Sequence, residues 1–193
     1  MKTAITGCIG SGKSFVSKRL KALGISVYDC DSAAKQLMTE DEDVRQRLCQ
    51  LIGNEAYGDD GQLNKPVLRR FLLSSPENKQ KMENIIHPAV ARDFNRSGME
   101  WMECAILFQS NFDKLVDRII CISAPLDIRI KRIIQRDNVT EDVALQWIEA
   151  QMSQEEVERR SDIVIVNDGK RDIMEDLSKI LSSSSNKENN QSI

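Results

Sequence analysis

Short apolar runs alternate with amphipathic stretches from the first residues of the chain. Thr3–Thr6 is typical of a short buried strand, and the glycine-rich residues 7–12 interrupt it. From Lys13 the apolar positions recur with helical spacing until Gly24, a residue type that commonly ends a helix. Residues 25–28 then alternate as a second strand. The opening therefore predicts a strand, a helix and a second strand parallel to the first.

A long stretch without strand character follows, from residue 32 to about residue 97. Its pattern is mostly helical, and the turn-like residues 58–61 divide it into two parts. Asn64 and Ser75 each stand shortly before a proline, as helix N-caps often do. We expect a helical insertion beside the sheet, and such an insertion can hold a substrate.

Strand patterns return in the second half of the chain, at residues 104–108, 118–123 and 163–166. Helical patterns lie between them, beginning near residue 126, at Thr140 and at Ser153. Ser153 and Glu156 have the spacing of a capping box, which marks the start of a helix. A last helix is expected to end near Leu181. Strands that alternate with helices predict an α/β fold with a mainly parallel sheet.

The length of 193 residues favours one globular unit over two independent domains. We expect this unit to span residues 1–181 and to include the insertion at about 32–97. Residues 182–193 read SSSSNKENNQSI, a polar composition that cannot bury enough surface to offset the entropy cost of ordering. They predict a disordered tail.

Composition narrows the classes of protein. A net charge of -3 gives no electrostatic reason to expect a nucleic-acid partner. Five scattered cysteines without a CxxC pair, and a single histidine, indicate neither a zinc site nor a disulfide framework. Without an apolar run of membrane-spanning length or a secretory signal, we expect a cytoplasmic protein with no membrane contact. No obligate protein partner is evident.

Residues 7–14 read GCIGSGKS and satisfy the G-x-x-x-x-G-K-[ST] motif between a predicted strand and a predicted helix. In such a loop the backbone N–H groups curve around phosphate oxygens, and the helix N-terminus faces the same anion. Lys13 is expected to bridge the β- and γ-phosphates of ATP, and the Ser14 hydroxyl to bind Mg²⁺. The predicted ATP-binding residues here are Gly10, Ser11, Gly12, Lys13, Ser14 and Phe15.

Other motifs separate the classes of P-loop protein. The guanine-reading N-K-x-D of a GTPase is missing, and the expected strand at residues 104–108 ends in Gln109 rather than in the acidic residue typical of a motor or transport ATPase. Asp29 and Asp31 follow the second strand, where residues i and i+2 of extended backbone face the same way. A carboxylate that accepts a hydroxyl proton is typical of kinase chemistry. The alternative for this pair is a solvated turn and helix N-cap.

Cations cluster on the helix that begins near residue 126. Arg132 and Arg136 stand one helical turn apart and are candidates for clamping phosphate oxygens from a mobile lid. For Arg129 and Lys131 we favour a solvated helical face.

These residues resemble one family, the dephospho-coenzyme A kinases, along nearly the whole chain. The similar blocks lie at residues 6–14, 28–37, 85–90, 131–140 and 162–169. The resemblance implies a P-loop kinase three-layer sandwich with a lid at about residues 132–160. It also implies ATP-dependent phosphorylation of the 3′-hydroxyl of dephospho-CoA, the last step of coenzyme A synthesis.

The resemblance also implies roles for single residues. Asp31 would be the catalytic base, with Asp29 beside it, and both would bind the substrate. Lys13 and Arg132, the lid arginine, would also be catalytic. Asn167 and Gly169 would lie beside the adenine. His87 would help to hold the acceptor. From the residues alone, His87 is better interpreted as a helix-start residue, because Pro88 follows it.

The chain departs from the family pattern at two positions. Gln109 stands where the family commonly has Glu. This substitution would remove a charge near the magnesium side, so we expect no catalytic role for Gln109. Phe15 replaces a common Thr and is expected to pack.

Two other functions stay open on the residues alone. One is a nucleoside or nucleotide monophosphate kinase, since such enzymes share the loop, the sheet and the lid. The other is a nucleotide-binding switch that transfers no phosphate.

Overall fold

The computed structural model describes residues 1–170 and 172–188. Its strands are β1 (Thr3–Thr6), β2 (Val27–Asp29), β3 (Trp101–Glu103), β4 (Arg118–Ser123) and β5 (Ile163–Val166). They form one parallel sheet in the order β2-β3-β1-β4-β5. The predicted parallel sheet is therefore confirmed, and all strands end at the same edge.

Helices connect the strands and cover the sheet. They are α1 (Lys13–Ala22), α2 (Cys30–Glu40), α3 (Glu42–Ile52), α4 (Lys65–Ser74), α5 (Pro76–Ser97), α6 (Leu126–Asp137), α7 (Glu141–Glu149), α8 (Gln154–Arg159) and α9 (Ile173–Glu188). Single turns of 3₁₀ helix occur at Asn54–Ala56 and Phe112–Leu115.

The core has one cluster on each face of the sheet. Ile5, Ile120 and Ile122 point to the side where Leu20 of α1 and Leu177 of α9 pack, all with no exposed surface. On the opposite side, buried side chains of β1, β3 and β4 contact α5. Because side chains alternate along a strand, successive residues belong to the two clusters in turn. The arrangement is a three-layer α/β sandwich, as the resemblance implied.

The predicted helical insertion consists of α2 to α5. Its own apolar cluster joins Val44 and Leu48 of α3 to Ile85 and Ala89 of α5. Asn64 and Ser75 cap α4 and α5 as predicted: the Asn64 side chain accepts from the Val67 N–H, and the Ser75 hydroxyl accepts from the Glu77 N–H.

Three expectations about elements are wrong. The third strand ends at Glu103, and residues 104–108 form turns rather than a strand; Leu107 and Phe108 are apolar because they are buried in the core, not because they alternate. His87 lies inside α5, not at a helix start. The last helix continues beyond Leu181 to Glu188, helped by the Ser182 hydroxyl, which donates to the Ser178 carbonyl.

That longer helix includes residues 182–188 of the predicted disordered tail, so the tail does not begin at residue 182. Residues 189–193, the rest of that tail, lie outside the described residues. No helix in the described part of the chain is long and apolar enough to cross a membrane.

Candidate active site

The edge where the parallel strands end gathers the polar residues of the site. β1 leads into the phosphate-loop residues 7–14, β2 into Asp29, and β3 ends in Glu103. The register pairs Asp29 directly with Glu103 across the β2–β3 ladder. In open α/β sheets, ligands bind at this edge.

The loop approaches α6 closely. Gly10 and Gly12 have φ values of 81° and 101°, in the left-handed region that favours glycine. A Cβ on Gly10 would lie 2.7 Å from the carbonyl oxygen of Arg129. The glycine at position 10 is therefore required both by its backbone conformation and by the space available.

Lys13 begins α1 and is 9% exposed. Its Nζ donates to the carbonyl oxygen of Cys8 at 3.2 Å. Burial lowers the pKa of the Lys13 ammonium, while the charges of Glu103 and Asp31 oppose that change. The lysine is thus held beneath the loop, near carboxylates that favour its charged form.

Glu103 is a site residue that the sequence interpretation missed. The Ser14 hydroxyl donates to Glu103 Oε1 at 2.8 Å, which joins the phosphate loop to the end of β3. The third strand was predicted at residues 104–108, which Gln109 follows, so the pattern indicated no acidic residue at the end of that strand. The signal that could have found it is the short apolar pair Trp101-Met102, followed by an acid.

Asp29 is the N-cap of α2. Its Oδ1 accepts from the N–H groups of Asp31 and Ser32 at 3.1 and 3.0 Å, and its Oδ2 accepts from the Ser32 hydroxyl. The predicted extended backbone is therefore wrong, since the helix has begun by Cys30. The capping alternative is the one that the structure shows, and Asp29 is not among the residues that line the cavity above the phosphate loop.

Asp31 projects from the first turn of α2 into a cavity of about 600 Å³ above the phosphate loop. Partial burial raises the pKa of its carboxyl, and the like charge of Asp29 adds to that rise. Lys13 acts in the opposite direction. A carboxylate with a raised pKa beside a phosphate loop is suited to accept a proton.

The cavity brings together most of the predicted residues. Those that line it are Gly10, Gly12, Lys13, Ser14, Asp31, Arg132 and Arg136. Glu103, Gln135 and Gln151 also line it without having been predicted. Gln151 Oε1 accepts from the Ile9 N–H at 2.8 Å, so the connection after α7 contacts the loop directly.

The arginines of α6 differ in their surroundings. Arg132 donates to the carbonyl oxygens of Gly10, Ser11 and Asn167 and to Asn167 Oδ1, each at 3.2 Å. Arg136 is more exposed and pairs with Asp137 at 2.7 Å. Lys131 is solvated as expected. Arg129 is not: it is 4% exposed, because its side chain turns beneath the loop.

Several predicted ATP-binding residues do not line the cavity. Ser11 is fully buried. Phe15 is 44% exposed, and the Arg19 guanidinium lies over its ring, 5.0 Å from the ring centre. The Asn167 amide donates to the Ser11 carbonyl at 2.8 Å and so supports the loop from behind. Gly169, with φ of 76°, has open space where a Cβ would be.

His87 lines a different cavity, of about 400 Å³, between α5 and the segment that follows β3. Its ring meets Phe112 edge to face, with the ring centres 5.7 Å apart. Burial lowers the pKa of the imidazole. Gln109 lines the same cavity, so this amide lies away from the phosphate loop, and Glu103 provides the carboxylate there.

The oxygen atoms of Ser14, Glu103 and Asp31 suit a hard divalent cation such as Mg²⁺. With a lysine and two arginines around the same cavity, the arrangement can bind a triphosphate with its metal ion. Asp31, a potential base, lines the same cavity.

Comparison with known proteins agrees with this chemistry. The family model for dephospho-CoA kinase matches residues 1–172. A dephospho-CoA kinase of Bacteroides fragilis is 37% identical over 188 residues, 94% of this chain and 91% of that one. A Thermus thermophilus crystal structure superposes with a TM-score of 0.80 at 28% identity, over 95% of this chain and 97% of that one. Dephospho-CoA kinase from Campylobacter jejuni shares the fold, with a TM-score of 0.68 at 20% identity, over 97% and 100% of the two chains.

Proposed function

The chain belongs to the dephospho-CoA kinase family, and from that premise we propose that it transfers the γ-phosphate of ATP to the 3′-hydroxyl of dephospho-CoA. This is the last step of coenzyme A synthesis. The observation that supports it best is the position of Asp31 in the same cavity as Lys13 and Ser14. A base, a phosphate-binding lysine and a hydroxyl suited to a metal ion are together at one site.

The phosphate loop binds ATP in this proposal. The backbone N–H groups of residues 10–14 surround the phosphates, and Lys13 leaves the Cys8 carbonyl for the β- and γ-phosphates. Ser14 would hold Mg²⁺, with Glu103 fixing the Ser14 hydroxyl or a water molecule of the ion. When bound, the ion neutralises charge on the phosphate oxygens.

Asp31 acts as the catalytic base. Its carboxylate accepts the proton of the 3′-hydroxyl while the hydroxyl oxygen attacks the γ-phosphorus in line. The bond between the γ-phosphorus and the β,γ-bridging oxygen breaks, and ADP leaves. Asp29 orients this carboxylate indirectly, because it accepts from the Asp31 N–H and fixes the first turn of α2. In this proposal Asp29 positions the base instead of contacting the substrate as predicted.

The two cavity arginines have separate tasks. Arg136 is free to turn from Asp137 towards the γ-phosphate, because the pair is on the surface and surface ion pairs are weak. Arg132 keeps the loop carbonyls of Gly10 and Ser11 in place and presents its charge to the phosphates. Both exclude water when the site is full, so that transfer is faster than hydrolysis.

The acceptor extends from Asp31 to the cavity of His87. Ala105 lines the phosphate cavity and Gln109 lines the second one. Four residues of chain span at most about 14 Å, so a single elongated molecule can reach both cavities. The pantetheine arm of dephospho-CoA contains amide groups, which the amide of Gln109 and the neutral imidazole of His87 can bind.

The remaining predicted contacts concern the base of ATP. Asn167 and Gly169 follow β5 beside the loop, where the adenine would lie, and Phe15 is exposed on α1 near the same end. A cytoplasmic location stays a prediction.

A coupled assay of ADP release tests the function. With ATP and Mg²⁺, dephospho-CoA should give rapid ADP formation, and AMP or adenosine should give little. Fast transfer to a nucleotide with none to dephospho-CoA would favour the monophosphate-kinase alternative. Nucleotide binding without ADP formation on any acceptor would favour a switch.

A further inference from the structure

Arg129 is a buried cation that the proposed reaction does not use. The residue is 4% exposed, in the first half of α6. Among residues 1–170 and 172–188, no carboxylate lies within ion-pair distance of its guanidinium. Its Nη2 has no hydrogen-bond partner in that part of the chain. Burying a charge without a paired carboxylate costs free energy, so a buried arginine at this position indicates a specific role.

The hydrogen bonds of Arg129 point to the phosphate loop. Its Nε donates to the carbonyl oxygen of Ile9 at 2.9 Å, and its Nη1 donates to Gln154 Oε1 at 3.2 Å. The backbone of the same residue occupies the space that a side chain at position 10 would need. Arg129 therefore contacts two successive loop residues, one through its side chain and one through its main chain.

The charge of Arg129 also acts at the loop. Together with Lys13, it opposes the rise that burial causes in the pKa of the Cys8 thiol. Glu155 and Glu158 act on that thiol in the opposite sense, so carboxylates of α8 lie in the neighbourhood without reaching contact with Arg129. The loop thus has a second buried cation, and only Lys13 belongs to the known motif.

We propose that Arg129 is a positioning residue for the triphosphate: it holds the Ile9–Gly10 backbone in its anion-binding shape and places a positive charge beneath it. An ATP molecule with several negative charges supplies the counter-charge that no described residue provides in contact with Arg129. This inference rests on the proposed ATP site and not on the identity of the acceptor.

Isothermal titration with Mg·ATP, in the absence of acceptor, tests the proposal. We expect Arg129→Gln to weaken ATP binding by at least about tenfold, because it loses both the charge and the fork of donors. Arg129→Lys keeps the charge but lacks the planar fork of donors, so its loss should be smaller, about threefold. The matched control is Lys131→Gln, which removes an exposed cation from the same helix and should leave ATP affinity unchanged.

Steady-state kinetics separate positioning from a merely structural role. A variant that is only less stable has fewer folded molecules, which lowers kcat and leaves KM for ATP unchanged. Arg129→Gln should instead raise KM for ATP about tenfold, with KM for dephospho-CoA within twofold of the wild-type value. An ATP affinity within twofold of wild type in folded Arg129→Gln would overturn the proposal. If that variant does not fold, an unchanged affinity in Arg129→Lys would overturn it equally.

The binding measurement is independent of the proposed transfer. If the wild-type protein binds ATP but does not phosphorylate dephospho-CoA, the proposed function fails while the Arg129 inference is still decided by titration.

Discussion

The hydroxyl of Ser14 donates to Oε1 of Glu103 across 2.8 Å, and this contact joins two segments that are 89 residues apart in the chain. Because β3 lies between β1 and β2 in the sheet, Glu103 is between the phosphate loop and the base-bearing start of α2. Its charge also favours the charged form of Lys13. Glu103 is therefore central to the site, although it matches no motif residue.

Replacing Glu103 should change the dependence on metal. Glu103→Gln keeps a hydrogen-bond acceptor for Ser14 but removes the charge, and we expect a loss of roughly 10–100-fold in kcat/KM or in apparent Mg²⁺ affinity, as is typical for partners of a metal ligand. A titration of activity against Mg²⁺ measures this. Glu100→Gln, an exposed acid just before the same strand, is the control and should behave as wild type. Unchanged Mg²⁺ dependence in Glu103→Gln would remove Glu103 from the metal site.

Asp31→Asn should separate binding from chemistry. The amide cannot accept the hydroxyl proton, so we expect kcat to fall by about 10²–10⁴-fold. ATP affinity, measured by titration, should stay within a few-fold, since the loop is intact. The melting temperature should not fall, because the raised pKa of Asp31 indicates that its ionised form is not stabilised by folding. Near-normal kcat would exclude Asp31 as the base.

Asp29→Asn should shift the pH profile without removing the cap, because Asn caps helices about as well as Asp. The negative charge of Asp29 contributes to the raised pKa of Asp31, so its removal lowers that pKa. The base is active when ionised; the acidic limb of kcat/KM for dephospho-CoA should therefore move to lower pH. Measurement of that profile at saturating ATP decides the matter.

The control for this shift is Asp41→Asn, which changes the N-cap of α3 in the same way but away from the cavity. Its pH profile should match that of the wild type. A shift of equal size in both variants would mean that the effect comes from helix capping rather than from the charge of Asp29.

Gly10→Ala should abolish tight ATP binding. The new Cβ would meet the Arg129 carbonyl oxygen at 2.7 Å, so either the loop or α6 must move. Gly24→Ala is a close control, since Gly24 has φ of 82° against 81° for Gly10 and has no atom within 4 Å of an added Cβ. Both variants bear the left-handed backbone cost of about 1–2 kcal/mol. Thermal melts should therefore show a loss of stability in both, and nucleotide titration a loss of affinity only in Gly10→Ala.

His87→Ala should weaken the acceptor and not the nucleotide. We expect KM for dephospho-CoA to rise by about tenfold, the equivalent of 1.4 kcal/mol, while KM for ATP is unchanged. Because burial lowers the pKa of the imidazole, the wild-type ring is neutral at pH 7, and the effect of the substitution should not depend on pH above that value. A rise in KM for ATP alone would mean that His87 acts on ATP binding rather than on dephospho-CoA binding.

Much of the fold was predictable because local chemistry determines it. The phosphate loop, the capping residues Asn64, Ser75 and Ser153, and the strands β1, β4 and β5 each follow from nearby residues. The third strand was misplaced, since an apolar run buried in turns has the same composition as a buried strand. That single error hid Glu103, which lies just before the run.

Tertiary contacts decided the rest of the site. The helical pattern around Arg129 resembles that around Lys131, yet one residue is buried beneath the loop and the other is exposed. The difference comes from how α6 packs on Gly10, a contact between positions 119 residues apart that no local pattern contains. The backbone at Asp29 was mispredicted for a related reason: α2 begins at the residue after β2, with no extended segment between them.

The apolar cluster formed by Val44, Leu48, Ile85 and Ala89 gives the insertion a packing of its own, while another side of α5 packs on the sheet. Strand register, by contrast, fixes the spacing of the carboxylates at the phosphate loop. The acceptor cavity and the phosphate site can therefore be redesigned separately. Changes to α5 at the cavity that His87 lines can alter which alcohol is accepted, while the phosphate loop and Glu103 at the strand ends stay unchanged.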